Sequence, residues 1–484
     1  MGANEFWLRC LEATRIPRWA AALTTSLSLS VFFSPALAPA QNALPFAPQD
    51  PDRFVPSADQ PLLTSTLPGL SDFKKSLLDH GVDLQLDYIA DAFGNPTGGV
   101  KQGANFASVL YMALEANLAK VGLDGASFYV NGYEINGRDI TTNNIYNLAS
   151  ISSIFARPTA RLYELWFEQK FSDWGSIRIG QLLADNEFFV SAFDDLFING
   201  SFGWPVITAA DLPSGGPGYP LTTPGIRLKL TPNEHLAFLA AIYNGDPSGA
   251  GFTGLQEYEN PSGLNFRVQD PPLVMSEIQF QYNQEKSSKG LAGTAKFGVW
   301  AHFGNFADYH YDAFGLSLAN PESSGSPLFQ HGDSGVYGVF EQMLWRLPGD
   351  DPLKGVGAFG RVSFSPSDRN LVDFYADGGF IFTGVLPARR GDSFGVAAIF
   401  SRLSPAVGQL DRDQAFFDGV ALPVRDYELV AELSYQAQII PGWTLQPDFQ
   451  YIVHPGGGTV NPIAPLAGRI PNAAVFGVRT MMRF

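Results

Sequence analysis

The chain contains 484 residues, of which only 16 % are charged, and it has a formal net charge of −16 at pH 7 with a single cysteine. This acidic balance argues against a nucleic-acid partner, because binding to phosphates requires a basic surface. One cysteine cannot form a disulfide within the chain, so an exported form must be stabilised by the size and closure of its fold.

Residues 1–40 have the pattern of a secretory signal peptide. Three arginines precede a mostly apolar run, residues 19–33, which is too short to span a membrane comfortably as a helix. Small residues at alternate positions predict cleavage near residues 38–40, which would also remove Cys10. Since no second apolar run approaches about eighteen residues, the exported chain is predicted to be a soluble all-β protein or an outer-membrane barrel.

Residues 41–80 are predicted to form an extended tether followed by a short helix. The tether, up to about Pro68, is rich in Pro, Asp and Ala and has no period. Residues 71–80 have the composition of one or two helical turns, which Gly81 can terminate as a C-cap. We expect a barrel domain to occupy residues 81–484.

Strand patterning begins directly after Gly81. In residues 82–92, apolar side chains such as Leu84 alternate with polar ones such as Asp83, and Ile89 is the exception. The same period of two predicts sixteen strands, which are residues 82–92, 108–119, 126–135, 161–171, 175–183, 226–230, 236–244, 277–283, 295–303, 336–346, 356–364, 371–382, 393–401, 427–439, 443–453 and 475–484.

The connections between these strands alternate in length. Those on the side where the chain starts, taken as the periplasmic side, are short, such as 172–174 and 440–442. Those on the other side, expected to be extracellular, are long, such as 136–160 and 304–335, with one exception, 365–370. An even strand number with this asymmetry predicts an all-β fold, a transmembrane antiparallel β-barrel of about 16 strands in the Gram-negative outer membrane. A soluble β-sandwich would share the alternation but would not explain the loop lengths.

The last predicted strand supports the same interpretation. Phe476 and Val478 share a face that would meet lipid, while Arg479 and Arg483 share the face that would meet the lumen. A chain that ends on an aromatic residue, here Phe484, resembles the signal that outer-membrane proteins present to the assembly machinery. Trp174 and Trp443 lie at short turns, where an interfacial aromatic girdle is expected.

One long connection, residues 184–225, is the segment around which the rest of the chain is organised. A connection of about forty residues within a compact domain is normally functional or disordered, and this one is too aromatic for a disordered linker. We therefore expect it to fold into the pore.

Three enzyme-like motifs are not expected to be functional. Residues 355–360 fit GxGxxG and residues 391–395 fit GxSxG, but both run into strands rather than helices. Residues 332–335 resemble the nucleophile loop of a serine protease, yet they are predicted to lie in a long loop without a supporting pattern. The six histidines show no metal-binding spacing, and no cofactor is expected.

The strand before the long connection carries charges that must face the lumen. Glu164, Trp166, Glu168 and Lys170 share this face, with Leu162, because charged side chains facing lipid are costly. They either keep water in the pore or bind the hydroxyl groups of a solute, for which Trp166 would offer an apolar plate. Further lumenal residues are expected at Trp300, His302, Arg361, Glu428, Glu432, Gln436, Asp448 and Gln450.

Many separate blocks of the chain resemble the carbohydrate-selective porin family of the OprB type. The blocks include Arg161-Leu-Tyr-Glu-Leu-Trp-Phe-Glu-Gln, and the others are residues 178–182, 187–191, 202–205, 212–220, 223–227, 368–372, 374–379, 434–438 and 443–457. The resemblance runs from about Asp72 to Phe484. It implies a sixteen-stranded outer-membrane barrel that admits glucose and other small sugars by diffusion, with charged and aromatic residues at its narrowest point.

This resemblance and the residue pattern together give a candidate pore constriction. Its predicted members are Arg161, Glu164, Trp166, Glu168, Arg178, Asp185, Phe188, Asp194, Trp204 and Arg227. The expected partners are small sugars, outer-membrane lipid and lipopolysaccharide, and the assembly machinery through the strand that ends at Phe484, with the chain acting as a monomer or a homotrimer.

Two alternative functions remain open from the sequence. The lumenal carboxylates would also suit a general or ion-preferring porin. A barrel enzyme of the outer membrane, such as a hydrolase, would need a nucleophile at Ser334 or Ser393 together with a base and an acid near the rim.

Overall fold

The computed structural model of the protein describes residues 63, 68–249, 256–285, 287–349 and 353–484. The predicted signal peptide and nearly all of the predicted tether lie outside the described residues.

Sixteen antiparallel strands close into one barrel, as the sequence pattern predicted. Their bounds are β1 Val82–Thr97, β2 Gly103–Asn117, β3 Ala126–Gly137, β4 Thr159–Ser172, β5 Gly175–Leu182, β6 Thr223–Asn233, β7 Leu236–Asn244, β8 Pro272–Tyr282, β9 Gly293–Asp312, β10 Pro327–Arg346, β11 Gly355–Phe364, β12 Val372–Thr383, β13 Ser393–Leu403, β14 Tyr427–Ile440, β15 Trp443–Val453 and β16 Ala473–Arg483. Each strand pairs with its neighbours in sequence, and β1 pairs with β16. Closure leaves no unpaired edge, which a lipid environment requires.

The outer face of the barrel is apolar and carries aromatic pairs. Near the extracellular ends of β11 and β12, the ring centroids of Phe364 and Phe374 lie 5.0 Å apart. Near the periplasmic ends of β12 and β13, Phe382 stacks on Phe394 with 4.6 Å between the ring centroids. Aromatic residues in two bands, one at each end of the strands, are typical of the two membrane interfaces.

The last strand has the two faces that its sequence predicted. Phe476 is 54 % exposed on the outer surface, whereas Arg479 is only 4 % exposed and faces inward. Arg479 donates to both carboxylate oxygens of Asp91 at 2.8 Å, directly across the register that closes the barrel. This ion pair therefore connects the first and last strands inside the lumen.

Strands β9 and β10 are longer than predicted. Residues 304–335 were expected to form a long loop, but the two strands extend to Asp312 and back from Pro327. Asp312 holds the hairpin tip by accepting hydrogen bonds from the backbone N–H groups of Phe314 and Leu316 at 2.9 Å. The buried side chains of this extension are polar, among them Asp308 and His310, so the apolar–polar alternation that marks a membrane strand is lost there.

The three enzyme-like motifs lie in strands. Residues 355–360 begin β11, and residues 393–395 of the second motif begin β13. Residues 332–335 lie in β10, so their predicted loop position was wrong. At Gly357, a Cβ atom would lie 2.8 Å from the ring of Phe193, which shows that this glycine lets an inward loop approach the wall.

Within the described residues, four α-helices lie in the segments outside the strands. They are α1 Pro68–Asp79, α2 Val206–Asp211, α3 Pro405–Asp418 and the single turn α4 Pro455–Gly458. Helix α3 begins after Ser404, whose hydroxyl accepts from the N–H of Val407, and it ends at Gly419 in the left-handed conformation. In the described part of the chain, no helix has both the length and the apolar character needed to cross a membrane.

Candidate pore constriction

In the part of the chain that the structure describes, two connections fold into the lumen, and we name them loop A (residues 138–158) and loop B (residues 183–222). Loop B is the long connection that the sequence placed in the pore, and this prediction is confirmed, since Ala184, Phe188 and Trp204 are 0 % exposed. Loop A was expected to be an ordinary extracellular connection, and its inward position was missed.

Wall carboxylates hold loop B through its backbone. Glu277 accepts from the N–H of Phe189 at 2.9 Å, and Glu432 accepts from the N–H groups of Ile198 and Asn199 at 2.5 and 3.0 Å. Glu341 likewise accepts from Ser191 and Ala192. An irregular loop has backbone donors without partners in a strand or helix, and a carboxylate satisfies two of them at once.

Loop A is anchored in the same manner and packs directly on loop B. Glu428 accepts from the N–H groups of Leu148 and Ala149 at 2.8 Å, and it also accepts from Gly456 at 2.7 Å. The N–H of Gly200 in loop B donates to Ser150 of loop A at 2.8 Å. The two loops therefore form one plug-like layer inside the barrel.

The sequence of loop A contained a signal for this burial. Ile145, Leu148, Ile151 and Ile154 recur every third residue, and each is at most 2 % exposed. A regular apolar spacing within a connection that has no strand pattern indicates a packed segment rather than a solvated loop.

One arginine on the opposite wall holds loop B at three separate points. The guanidinium of Arg361 in β11 donates to the carbonyl groups of Phe189 and Ser201 at 3.0 and 2.8 Å, and it pairs with Asp194 at 3.0 Å. Asp377 in β12 fixes the guanidinium through an ion pair of 2.6 Å. This position uses the fixed fork of donors that only an arginine provides.

Four charged residues form a buried cluster between the β4–β6 wall and loop B. Arg178 pairs with Glu168 at 2.5 Å and with Glu187 at 2.7 Å. Arg227 pairs with the same two carboxylates at 3.0 and 2.6 Å. Each of the four side chains is at most 4 % exposed. Two positive and two negative charges thus balance where loop B meets the wall.

Trp166 lies directly above this cluster. Its ring stacks on Tyr129 at 4.9 Å with an angle of 19°, and the guanidinium of Arg178 lies 3.8 Å from the ring centroid. Cation–π contact and stacking therefore use the ring for packing within the wall. The predicted role of Trp166 as a plate for a sugar ring stays a prediction.

A β-bulge in β4 decides which of its side chains face the lumen. Asn131 of β3 stands opposite both Tyr163 and Glu164, so the alternation shifts by one residue between them. The side chain of Asn131 bonds Glu164 twice, at 3.0 Å to its carboxylate and at 2.7 Å to its N–H. Leu162 was expected on the lumenal face with Glu164, and this was wrong, because the bulge turns Arg161 and Tyr163 inward instead.

Five of the predicted site residues lie apart from the charged cluster. Arg161 donates to the carbonyl of Asn260 at 3.1 Å, and Asp185 accepts from the N–H of Tyr219 at 2.8 Å. Asp194 belongs to the Arg361 contacts. The remaining two, Phe188 and Trp204, are fully buried in loop B. The structure thus brings together Glu164, Trp166, Glu168, Arg178 and Arg227, while the role of all ten residues at a constriction stays a prediction.

Burial raises the pKa of loop B carboxyl groups that make no ion pair. The pKa of Asp185 is raised well above its usual value by burial, although the N–H of Tyr219 opposes the shift. Burial likewise raises the pKa of Asp211, which accepts from Val372 and Ser365 at 3.2 and 3.0 Å. Within the described residues, no group of three or more His, Cys, Asp or Glu side chains is arranged to hold a metal ion.

Comparison with known proteins gives consistent matches. The family model described as "Carbohydrate-selective porin, OprB family" matches residues 101–484. Porin B of Pseudomonas aeruginosa is 22 % identical over 444 residues, which cover 85 % of this chain and 89 % of that protein.

Solved structures support the fold. The high-pH structure of Pseudomonas putida OprB matches with a TM-score of 0.76 and 21 % identity, over 88 % of this chain and 99 % of that one. The low-pH structure of the same protein matches over the same shares with a TM-score of 0.52 and 17 % identity.

Proposed function

The chain belongs to the carbohydrate-selective porin family, OprB type, and we propose from this that it is a passive outer-membrane channel for small sugars such as glucose. The match of the family model to residues 101–484 is the observation that carries the proposal. The protein is a Gram-negative outer-membrane porin, and the closed barrel with an inward loop is the architecture that such a channel needs.

The constriction is proposed where loop B meets the wall of β4, β5 and β6. Glu164, Glu168 and Arg178 are buried where the two meet and set the position and charge of loop B there, and Asn186 of loop B lies against Glu164 at 3.5 Å. The cluster with Glu187 and Arg227 is neutral overall, which suits an uncharged solute better than an ion. Binding there must stay weak, because a channel also has to release its solute.

The two alternatives are not favoured. A general porin would not need an internally paired cluster at its narrowest part, since unpaired charges would maintain a wider hydrated path. The family consists of channels rather than enzymes, and Ser334 and Ser393, the nucleophiles considered for a hydrolase, both lie in barrel strands.

Three further partners belong to the proposal. The aromatic bands on the outer face suit contact with lipid and lipopolysaccharide. The strand that ends near Phe484 would present its side chains to the assembly machinery. Both a monomer and a homotrimer are compatible with the barrel.

Liposome swelling with the refolded mature protein tests the proposal. Glucose and other monosaccharides are compared with uncharged solutes of similar size and with amino acids. Faster entry of sugars at equal size is expected. Entry ranked by size alone would make the protein a general porin, and no entry of any solute would contradict a channel.

A further inference from the structure

The lining of the lumen changes on the periplasmic side of the charged cluster. There the inward side chains are polar and partly exposed to water, and they include Gln85, Glu115, Gln279, Gln281, Lys296 and Gln436. On the extracellular side, the inward residues Tyr133, Trp300 and Tyr375 are at most 4 % exposed beneath the loops. The periplasmic half of the lumen is therefore hydrated, and we name it the exit chamber.

The tip of loop B, residues 190–196, forms the upper boundary of the exit chamber. Lys296 of β9 donates to the carbonyl of Val190 at 2.7 Å, and Gln446 of β15 donates to the carbonyl of Leu196 at 2.5 Å. Together with Glu341 of β10, which accepts from Ala192, these contacts hold the tip to the wall at both of its ends and near its middle. The backbone of the tip is thus held in place from three strands.

Of the two charged side chains in the tip, Asp194 and Asp195, only Asp195 faces water. It is exposed, whereas its neighbour Asp194 is 3 % exposed and is paired with Arg361. Its position inside the barrel raises the pKa of its carboxyl group to about 7, first through burial and then through Glu341 of β10, while Lys296 of β9, Arg483 of β16 and Arg361 of β11 oppose the rise. Asp195 therefore stands within the lumen among charges of both signs.

We propose that the exit chamber is a second binding position for neutral polyhydroxylated solutes, in which Asp195 accepts hydrogen bonds from solute hydroxyl groups near the amide of Gln436, which donates to Gln446 at 3.2 Å beside Leu196. A carboxylate on a fixed backbone is a strong acceptor, and primary amides offer both a donor and an acceptor to each hydroxyl. Charges of both signs nearby disfavour a solute with a net charge of either sign. This inference rests on the proposed function and adds a position that a sugar occupies after it passes the constriction.

Single-channel block by glucose added to one side of a planar bilayer tests this proposal. In Asp195→Asn, half-block from the periplasmic side should need about tenfold more glucose, as expected for the loss of one charge-assisted hydrogen bond. Half-block from the extracellular side should change less, because the constriction is met first from that side. Asp195→Glu keeps the carboxylate and should preserve most of the block.

Asp173→Asn is the matched control, because Asp173 is exposed in the turn between β4 and β5 and lies outside the lumen. An Asp195→Asn channel whose glucose block equals that of the control from both sides would overturn the second position. Liposome swelling with the unmodified protein separates the two claims. If sugar enters but Asp195→Asn leaves the glucose block unchanged, only the second binding position is overturned. If sugar does not enter at all, the proposed function is overturned as well.

Discussion

Glu187 shows how a single side chain can set the charge of the constriction. It is the member of the four-residue cluster that comes from loop B, and it pairs with both Arg178 and Arg227. The other three members lie on the wall strands. The balance of charge at this point therefore depends on a residue from a different segment of the chain.

We expect Glu187→Gln to shift the channel toward anions. The substitution is nearly isosteric but leaves one unbalanced positive charge between the loop and the wall, which attracts anions into the narrow part. Reversal potentials in a salt gradient measure the ratio of chloride to potassium permeability, and this ratio should rise severalfold. Glu285→Gln changes the same charge in a periplasmic turn and serves as the control; an equal ratio in the two variants would place Glu187 outside the ion path.

At the scale of elements, the two inward loops are positioned by wall side chains rather than by regular secondary structure. Glu277, Glu341, Glu428 and Glu432 bind backbone N–H groups, and Arg361 binds backbone carbonyl groups. Strand positions are rigid, so side chains based on them can fix an irregular loop. The width of the channel then depends on residues that do not themselves face it.

Arg361→Met should release loop B while the barrel stays closed. The variant loses the contacts to Phe189, Asp194 and Ser201, and the loop should become able to move away from the wall. We expect higher ion conductance and a solute preference closer to ranking by size. Arg361→Lys, which keeps the charge but not the fork of donors, should give an intermediate value. Conductance equal to that of the unmodified channel would show that the loop is held by other contacts.

Glu428→Gln tests loop A in the same way. The amide retains one acceptor oxygen where the carboxylate served Leu148, Ala149 and Gly456, and each unsatisfied N–H costs about 1–3 kcal/mol. We expect faster proteolysis within loop A and larger current fluctuations. Asp418→Asn at the exposed end of α3 is the control, and a variant that resists protease as well as this control would argue against the anchor.

At the scale of the whole molecule, closure of the barrel depends on the pairing of the first and last strands. The backbone N–H of Phe484 donates to Leu86 at 2.9 Å, and Arg479 pairs with Asp91 inside the lumen. Ser152 and Ser153 of loop A bond the same two side chains at 2.7 and 2.9 Å. Closure of the strands and placement of loop A are therefore coupled.

Asp91→Asn should weaken this closure. Removal of one partner leaves the guanidinium of Arg479 buried without its counter-charge, which costs about 3–5 kcal/mol. Folded barrels and heat-unfolded barrels migrate differently on gels. The temperature at which half of the protein is unfolded, measured from this difference, should be lower in the variant. The double variant, Asp91→Asn combined with Arg479→Gln, should recover part of the lost stability. A midpoint equal to that of the unmodified protein would contradict a stabilising role for the pair.

The sequence by itself determined the fold, because strand period, loop asymmetry and the two faces of the last strand depend on local pattern and on whether a residue meets lipid or water. It also indicated that residues 184–225 enter the pore, because so many aromatic residues cannot remain in a solvated loop. These properties depend on residues that are close together in the sequence, so they can be predicted from the sequence alone.

Only the tertiary structure decided which side chains meet at the site. Asp194 and Asp195 are equivalent in sequence, but Arg361 buries the first and leaves the second facing water. The bulge opposite Asn131 turned Leu162 away from the lumen. Each outcome depends on a partner from a distant strand, and the energy of an ion pair or a register shift is set by that contact rather than by the residues on either side.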